Sequence, residues 1–161
     1  MGQESSHDRQ LHRQSLVYRP GSTLLTTIRA YTGGPTPARP DDPAVRFHPG
    51  GVAYHQAFGH DPVIELDWPE VRAVAVLPGP IADRRALCVY RTGEPPQPGI
   101  PADDMFSGTG RSLGAHFEAL FGTRLAVHLH HVRGPSLKRL ARSLPAWTGG
   151  RVTLGTRRPA A

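Results

Sequence analysis

The densest chemistry in the chain is the run His128-Leu129-His130-His131. Side chains alternate along a strand, so His128 and His130 would share a face about 7 Å apart, a spacing that lets two imidazoles hold one metal ion. Two imidazoles are half of a tetrahedral shell, and a catalytic metal needs a third protein ligand beside its water. His55 and His116 can be considered for that role; His116 is better placed, flanking the apolar side of a helical pattern that could fold back over the strand. The plainer expectation is that these histidines are tolerated on a solvent-facing or loop-covered face and bind no metal, because motif fragments this short recur by chance.

Other groups carry less. Residues 107–112, SGTGRS, form a glycine-rich stretch leading into a helical pattern, where exposed amides can meet a phosphate. The spacing and lysine of a P-loop are missing, Arg111 standing in the lysine's place, so a connector is expected. Cys88 lies among Leu87, Val89 and Tyr90 in a strand pattern and reads as a buried residue, not a nucleophile. Asp103 and Asp104 are adjacent in a loop, and nothing fixes the separation that paired acid–base work requires. Lys138, Arg139 and Arg142 share the polar side of a short helix, with Arg151, Arg157 and Arg158 beyond. They could touch an anionic membrane or nucleic acid, although basic residues near a helix C-terminus also offset its dipole and face water.

Composition narrows the classes. At 161 residues the chain can build one core of its own. Its net charge of +6 raises nucleic acid as a partner, but the basic residues are spread along the length and only Lys138 is a lysine, so no dedicated nucleic-acid site is expected. A single cysteine excludes an internal disulfide framework and a paired-cysteine zinc site. No apolar run reaches the roughly 18–20 residues that span a bilayer, and the opening residues are polar where a signal peptide needs an apolar core. A cytoplasmic protein is expected.

The elements that must position these groups are mostly strands. Residues 1–22 read as a disordered N-terminal segment and 23–150 as one domain, with a Pro/Gly linker at 33–43. Strands are expected at 23–31, 45–48, 52–58, 63–68, 71–77, 86–91 and 125–133, separated by turn residues in the manner of an antiparallel meander. Residues 92–122 form a long insertion that ends in a helix over 111–121, stopped by Gly122. Ser136 should cap a last helix, whose stripe of Leu137, Leu140, Ala141 and Leu144 halts at Pro145, and Gly149-Gly150 releases a basic tail at 151–161. The expected core includes Phe47, Tyr54, Leu66, Val74, Val89, Val127 and Leu129, with Leu140 and Leu144 packed onto it.

VRFHPGGVAYHQ, VIELDWPEVRAV and LAVHLHHVRGPSLKRLARSL together resemble the hairpin, the tryptophan-ended strand and the closing strand and helix of the bacterial pleckstrin-homology-like family, across roughly residues 45–144. The resemblance implies an α+β, mainly β fold, an antiparallel barrel or curved sheet capped by a C-terminal amphipathic helix, with no catalytic residues to carry over. It also implies a non-catalytic adaptor that uses no cofactor and whose partner is another protein, engaged through the barrel rim or the insertion. Two alternatives stand beside it. One is a small metal-dependent enzyme of cupin type around His128 and His130, since Gly122 opens that family's glycine, five residues, His-x-His pattern; Gly134 and Pro135 then replace its glutamate. The other is a peripheral binder of anionic membrane or nucleic acid through Lys138, Arg139 and Arg142. Nothing in the sequence specifies a small-molecule ligand.

Overall fold

Alternating apolar residues in short, turn-bounded runs fold into two sheets. The computed structural model describes residues 14–21, 44–54, 63–80, 84–93 and 113–160. The strand expected at 23–31, the linker 33–43, His55, Asp103, Asp104 and the 107–112 stretch lie outside them. The strands are β1 Leu16–Pro20, β2 Val45–His48, β3 Gly51–Tyr54, β4 Ile64–Asp67, β5 Val71–Pro78, β6 Arg85–Arg91, β7 Ala126–His128, β8 Val132–Arg133 and β9 Leu154–Gly155, and the helices are α1 Leu113–Phe121 and α2 Leu137–Thr148. The fold is mainly β. One sheet has the order β4-β3-β2-β1-β8 and the other β7-β6-β5-β9, and the described strands do not close into a barrel.

In the first sheet, register turns sequence alternation into one apolar layer. Leu16 lies opposite Phe47, Phe47 opposite Val52, and Val52 opposite Leu66, while Tyr18, Val45, Tyr54 and Ile64 form the next row. All but Ile64 are buried. The β2–β3 turn contains Pro49 and Gly50, but neither Gly50 nor Gly51 adopts the positive φ expected of it. Gly51 is required for a different reason: a Cβ there would lie 2.0 Å from the Leu66 carbonyl oxygen. The Trp68 indole nitrogen donates to the Pro49 carbonyl at 2.9 Å, tying the 3-10 turn Trp68–Glu70 to that hairpin as the chain crosses into the second sheet.

The second sheet is apolar on both sides because both sides are covered. Val74, Val76, Leu87, Val89 and Val127 face the main core, and Ala75, Leu77, Ala86, Cys88, Tyr90 and Ala126 pack beneath Phe117 and Phe121 of α1. Such two-sided burial produces continuous apolar runs in place of alternation. Gly122, at φ 74°, ends α1 as expected, and its N–H donates to the Glu118 carbonyl.

Four expectations are corrected. Leu16–Pro20 is a strand between β2 and β8, with Leu16 and Tyr18 2% exposed, so the segment 1–22 is not disordered throughout. The run 125–133 is not one strand: β7 stops at His128, the 3-10 turn Leu129–His131 turns the corner, and β8 continues in the other sheet. Pro145 does not stop α2. The helix starts at Ser136, whose Oγ accepts from the Arg139 N–H at 3.3 Å, and runs to Gly149 at φ 61°. An interior proline costs about 3 kcal/mol, partly because the carbonyl four residues earlier loses its donor. Here that residue is Ala141, which is solvent-exposed, and the final turn is held by Trp147 against Trp68 with ring centroids 6.3 Å apart. The segment 151–161 is not a released tail either, since Val152 is 1% exposed and β9 pairs parallel to β5, Val74 opposite Leu154.

Candidate functional site

The histidine run sits at the corner between the sheets. His128, last residue of β7, lies beneath α1, its ring edge-on to Phe117 and Phe121 at centroid distances of 5.3 and 5.8 Å. The 3-10 turn then brings His130 and His131 against it, both at 5.3 Å, and the two approach each other to 4.0 Å. His130 is exposed, whereas His131 is buried. His131 is the member that sequence reasoning missed. Strand alternation assigns it no special role, and only the unforeseen corner turns it inward. Its backbone carbonyl accepts from the Gly21 N–H at 2.7 Å, joining the corner to the end of β1.

The His130 and His131 rings are biased toward the neutral state. Burial pushes the His131 pKa down to about 4, with His130 and the Arg84 guanidinium adding to the effect. The His130 pKa is also lowered, by burial first and then by Arg84. Neutral imidazole is the ligating form, but the rings meet edge to face and tilted, as aromatic groups pack. Among the described residues no group of three or more His, Cys, Asp or Glu side chains is arranged to hold a metal ion. His116 belongs to α1, with its side chain outside the described part.

The remaining buried polar groups near this corner serve the scaffold. Tyr54 Oη donates to the Ala126 carbonyl and Tyr90 Oη to the Phe121 carbonyl, both at 2.7 Å. Thr123 Oγ1 donates to the Val89 carbonyl at 2.7 Å and accepts from the Leu125 N–H. Burial pushes the Cys88 thiol up to about 12, far from the thiolate that a nucleophile requires.

Lys138, Arg139 and Arg142 are exposed on α2. Counting from the Ser136 cap, Lys138 and Arg139 fall in the first turn, where cations oppose the macrodipole, and α2 has no acidic residue in that turn. The arrangement costs stability. Like charges three or four positions apart repel by about 0.2–0.5 kcal/mol, and a charge of the wrong sign at a helix end by about 0.3–1 kcal/mol. Dipole compensation at a C-terminus therefore does not explain them. Two of the three arginines beyond α2 are differently used: Arg151 donates to the Val71 carbonyl at 3.0 Å and to that of Trp68, and Arg158 to the Leu120 carbonyl.

The site and fold define a mainly β chain whose helices cover two apolar layers. No helix of the described residues is long and apolar enough to cross a membrane. Compared with protein-family models, curated proteins and solved structures, the chain has no match.

Proposed function

We propose that this chain is a non-catalytic binding module of the pleckstrin-homology-like kind, cytoplasmic, acting as an adaptor for another protein. The strand order carries the reading. With β7 and β8 taken as one strand bent at the histidine corner, the neighbours run β4-β3-β2-β1-β8/β7-β6-β5, two antiparallel meanders joined through β1 and β8 with β9 added in parallel at the β5 edge, and α2 places Leu140 and Leu144, each 0% exposed, into the core. The chemistry-bearing side chains agree with it, because the His131 ring, Tyr54, Tyr90 and Cys88 are all engaged in packing or in main-chain hydrogen bonds.

The test separates this reading from the metal-dependent enzyme. Zinc, iron, nickel and manganese are measured in protein purified gently and without a histidine tag, and again in the variant His128→Ala/His130→Ala. The expected result is no stoichiometric metal in either. One equivalent in the parent and none in the variant would count against the module and favour the metal-dependent enzyme reading.

A further inference from the structure

We infer that the exposed face of the first half of α2, Lys138, Arg139 and Arg142 together with Arg133 just before its cap, is the docking site for an acidic segment of a partner protein. The inference rests on the binding-module reading and gives its partner a chemistry. The first observation concerns the acids. Of the 19 Lys and Arg, 8 lie in residues 119–161, and none of the 13 Asp and Glu does, so residues 1–118 hold 11 cations against 13 acids. The cations are spread along the chain, as the sequence suggests, but the excess of positive charge is not. It is confined to the last quarter.

The second observation is which of these cations the fold uses. Arg124 pairs with Glu118 at 2.7 Å, and Arg151 and Arg158 donate to main-chain carbonyls. Arg133, Lys138, Arg139 and Arg142, and Arg157 beyond the helix, are exposed, with no ion pair to an acidic side chain among the described residues. Lys138 and Arg139 also occupy the helix turn where positive charge is least favourable. Charge kept where folding disfavours it, and without an acidic partner among the described residues, matches a ligand of opposite sign.

Geometry favours an acidic protein segment over other polyanions. Residues four apart on a helix are displaced by about 6 Å along its axis, and alternate residues of an extended peptide by about 6.6 Å, so carboxylates on every second residue can meet Lys138 and Arg142 in turn. Arg139 offers a planar fork suited to a bidentate carboxylate. An interfacial helix would need an apolar face for the bilayer, but the apolar stripe of α2 is spent inside, and Val63 is the exposed large hydrophobic residue among those described, ahead of β4 at the opposite edge of the first sheet. Three cations on the helix and one in β8 also fall short of the roughly 6–10 phosphate contacts considered for a duplex-binding protein.

The probe is a fluorescein-labelled peptide of about twelve residues alternating Glu and Ser, titrated with the full chain at about 50 and about 200 mM salt. The chain should bind it, more weakly at the higher salt. Lys138→Gln/Arg139→Gln/Arg142→Gln should weaken binding by at least about tenfold with a melting point no lower than the parent's. Arg84→Gln/Arg85→Gln/Arg157→Gln removes the same number of charges elsewhere and should change affinity by less than about threefold. Equal loss in the two triple variants, no loss in the α2 variant, or no binding by the parent would overturn the proposal. So would tighter, α2-dependent binding to vesicles containing one third phosphatidylserine or to a short DNA duplex, which would reassign the face to a membrane or to nucleic acid. Any of these failures leaves the metal test of the module reading untouched, so the two can fail separately.

Discussion

The histidine corner and the basic face of α2 stand in opposite relations to the fold. The corner has the residue types from which enzymes are built, yet its rings pack on Phe117, Phe121 and one another, and the pKa values of His130 and His131 are lowered toward the neutral state. The basic face holds residues that composition alone invites one to discount, but the fold makes little use of them and carries a small stability cost to keep them. Reactive residue types do not identify a site when the scaffold has already engaged them. A local disagreement between a side chain and its backbone position is the better signal.

Three stability measurements probe this contrast. The largest effect is expected on the inner side of α2: Leu140→Ala should cost about 2–5 kcal/mol in urea unfolding, because the side chain is fully buried among both sheets. A change below about 0.5 kcal/mol would show that α2 does not belong to the core. The next concerns the corner. His131 has its usual pKa of 6.5 when unfolded and about 4 when folded, so above pH 6.5 both states are neutral and its contribution is complete. As pH falls from 6.5 toward 4 the unfolded chain takes up the proton first, and stability should drop by roughly 2 kcal/mol. Urea midpoints at pH 7 and near pH 4.5 measure this, and His131→Asn should flatten the dependence; an unchanged slope would mean that the ring titrates normally. The smallest effect has the opposite sign. Arg139→Glu removes an unfavourable charge and completes a Ser136-x-x-Glu capping box, so it should stabilise by about 0.5–1 kcal/mol while weakening acidic-peptide binding. Loss of stability would mean that Arg139 has a structural role.

Much of the fold could be read from the residues, and the reasons it could not be read further are specific. Val45, Phe47, Leu66 and Trp68 alternate with polar neighbours and are buried as their pattern demands. The mainly β class follows from such runs. Leu16–Pro20 escaped notice because a five-residue strand beside a polar stretch gives little periodic signal, although Leu16 and Tyr18 alternate within it. The corner at Leu129–His131 escaped because alternation carries no marker for a 3-10 turn that contains neither glycine nor proline. Pro145 misled because the rule against interior proline is a cost of a few kcal/mol, and the contacts of Trp147 and Thr148 beyond it outweigh that cost. The basic face was visible as a helix surface. Its significance lay in the missing acids after Glu118, which a search for clustered cations does not count.

The parallel pairing of β9 with β5 has a consequence for how the molecule assembles. The β5–β6 hairpin closes a short loop and can form early, but β9 must find a strand about 80 residues away in sequence, the separation at which Arg151 meets Val71. Contacts of that range form late, after the loop entropy of everything between them has been overcome. During synthesis the second sheet therefore waits with β5 uncovered along one edge until residues 151–155 emerge. A chain halted before that point would expose an adhesive strand rather than a finished domain.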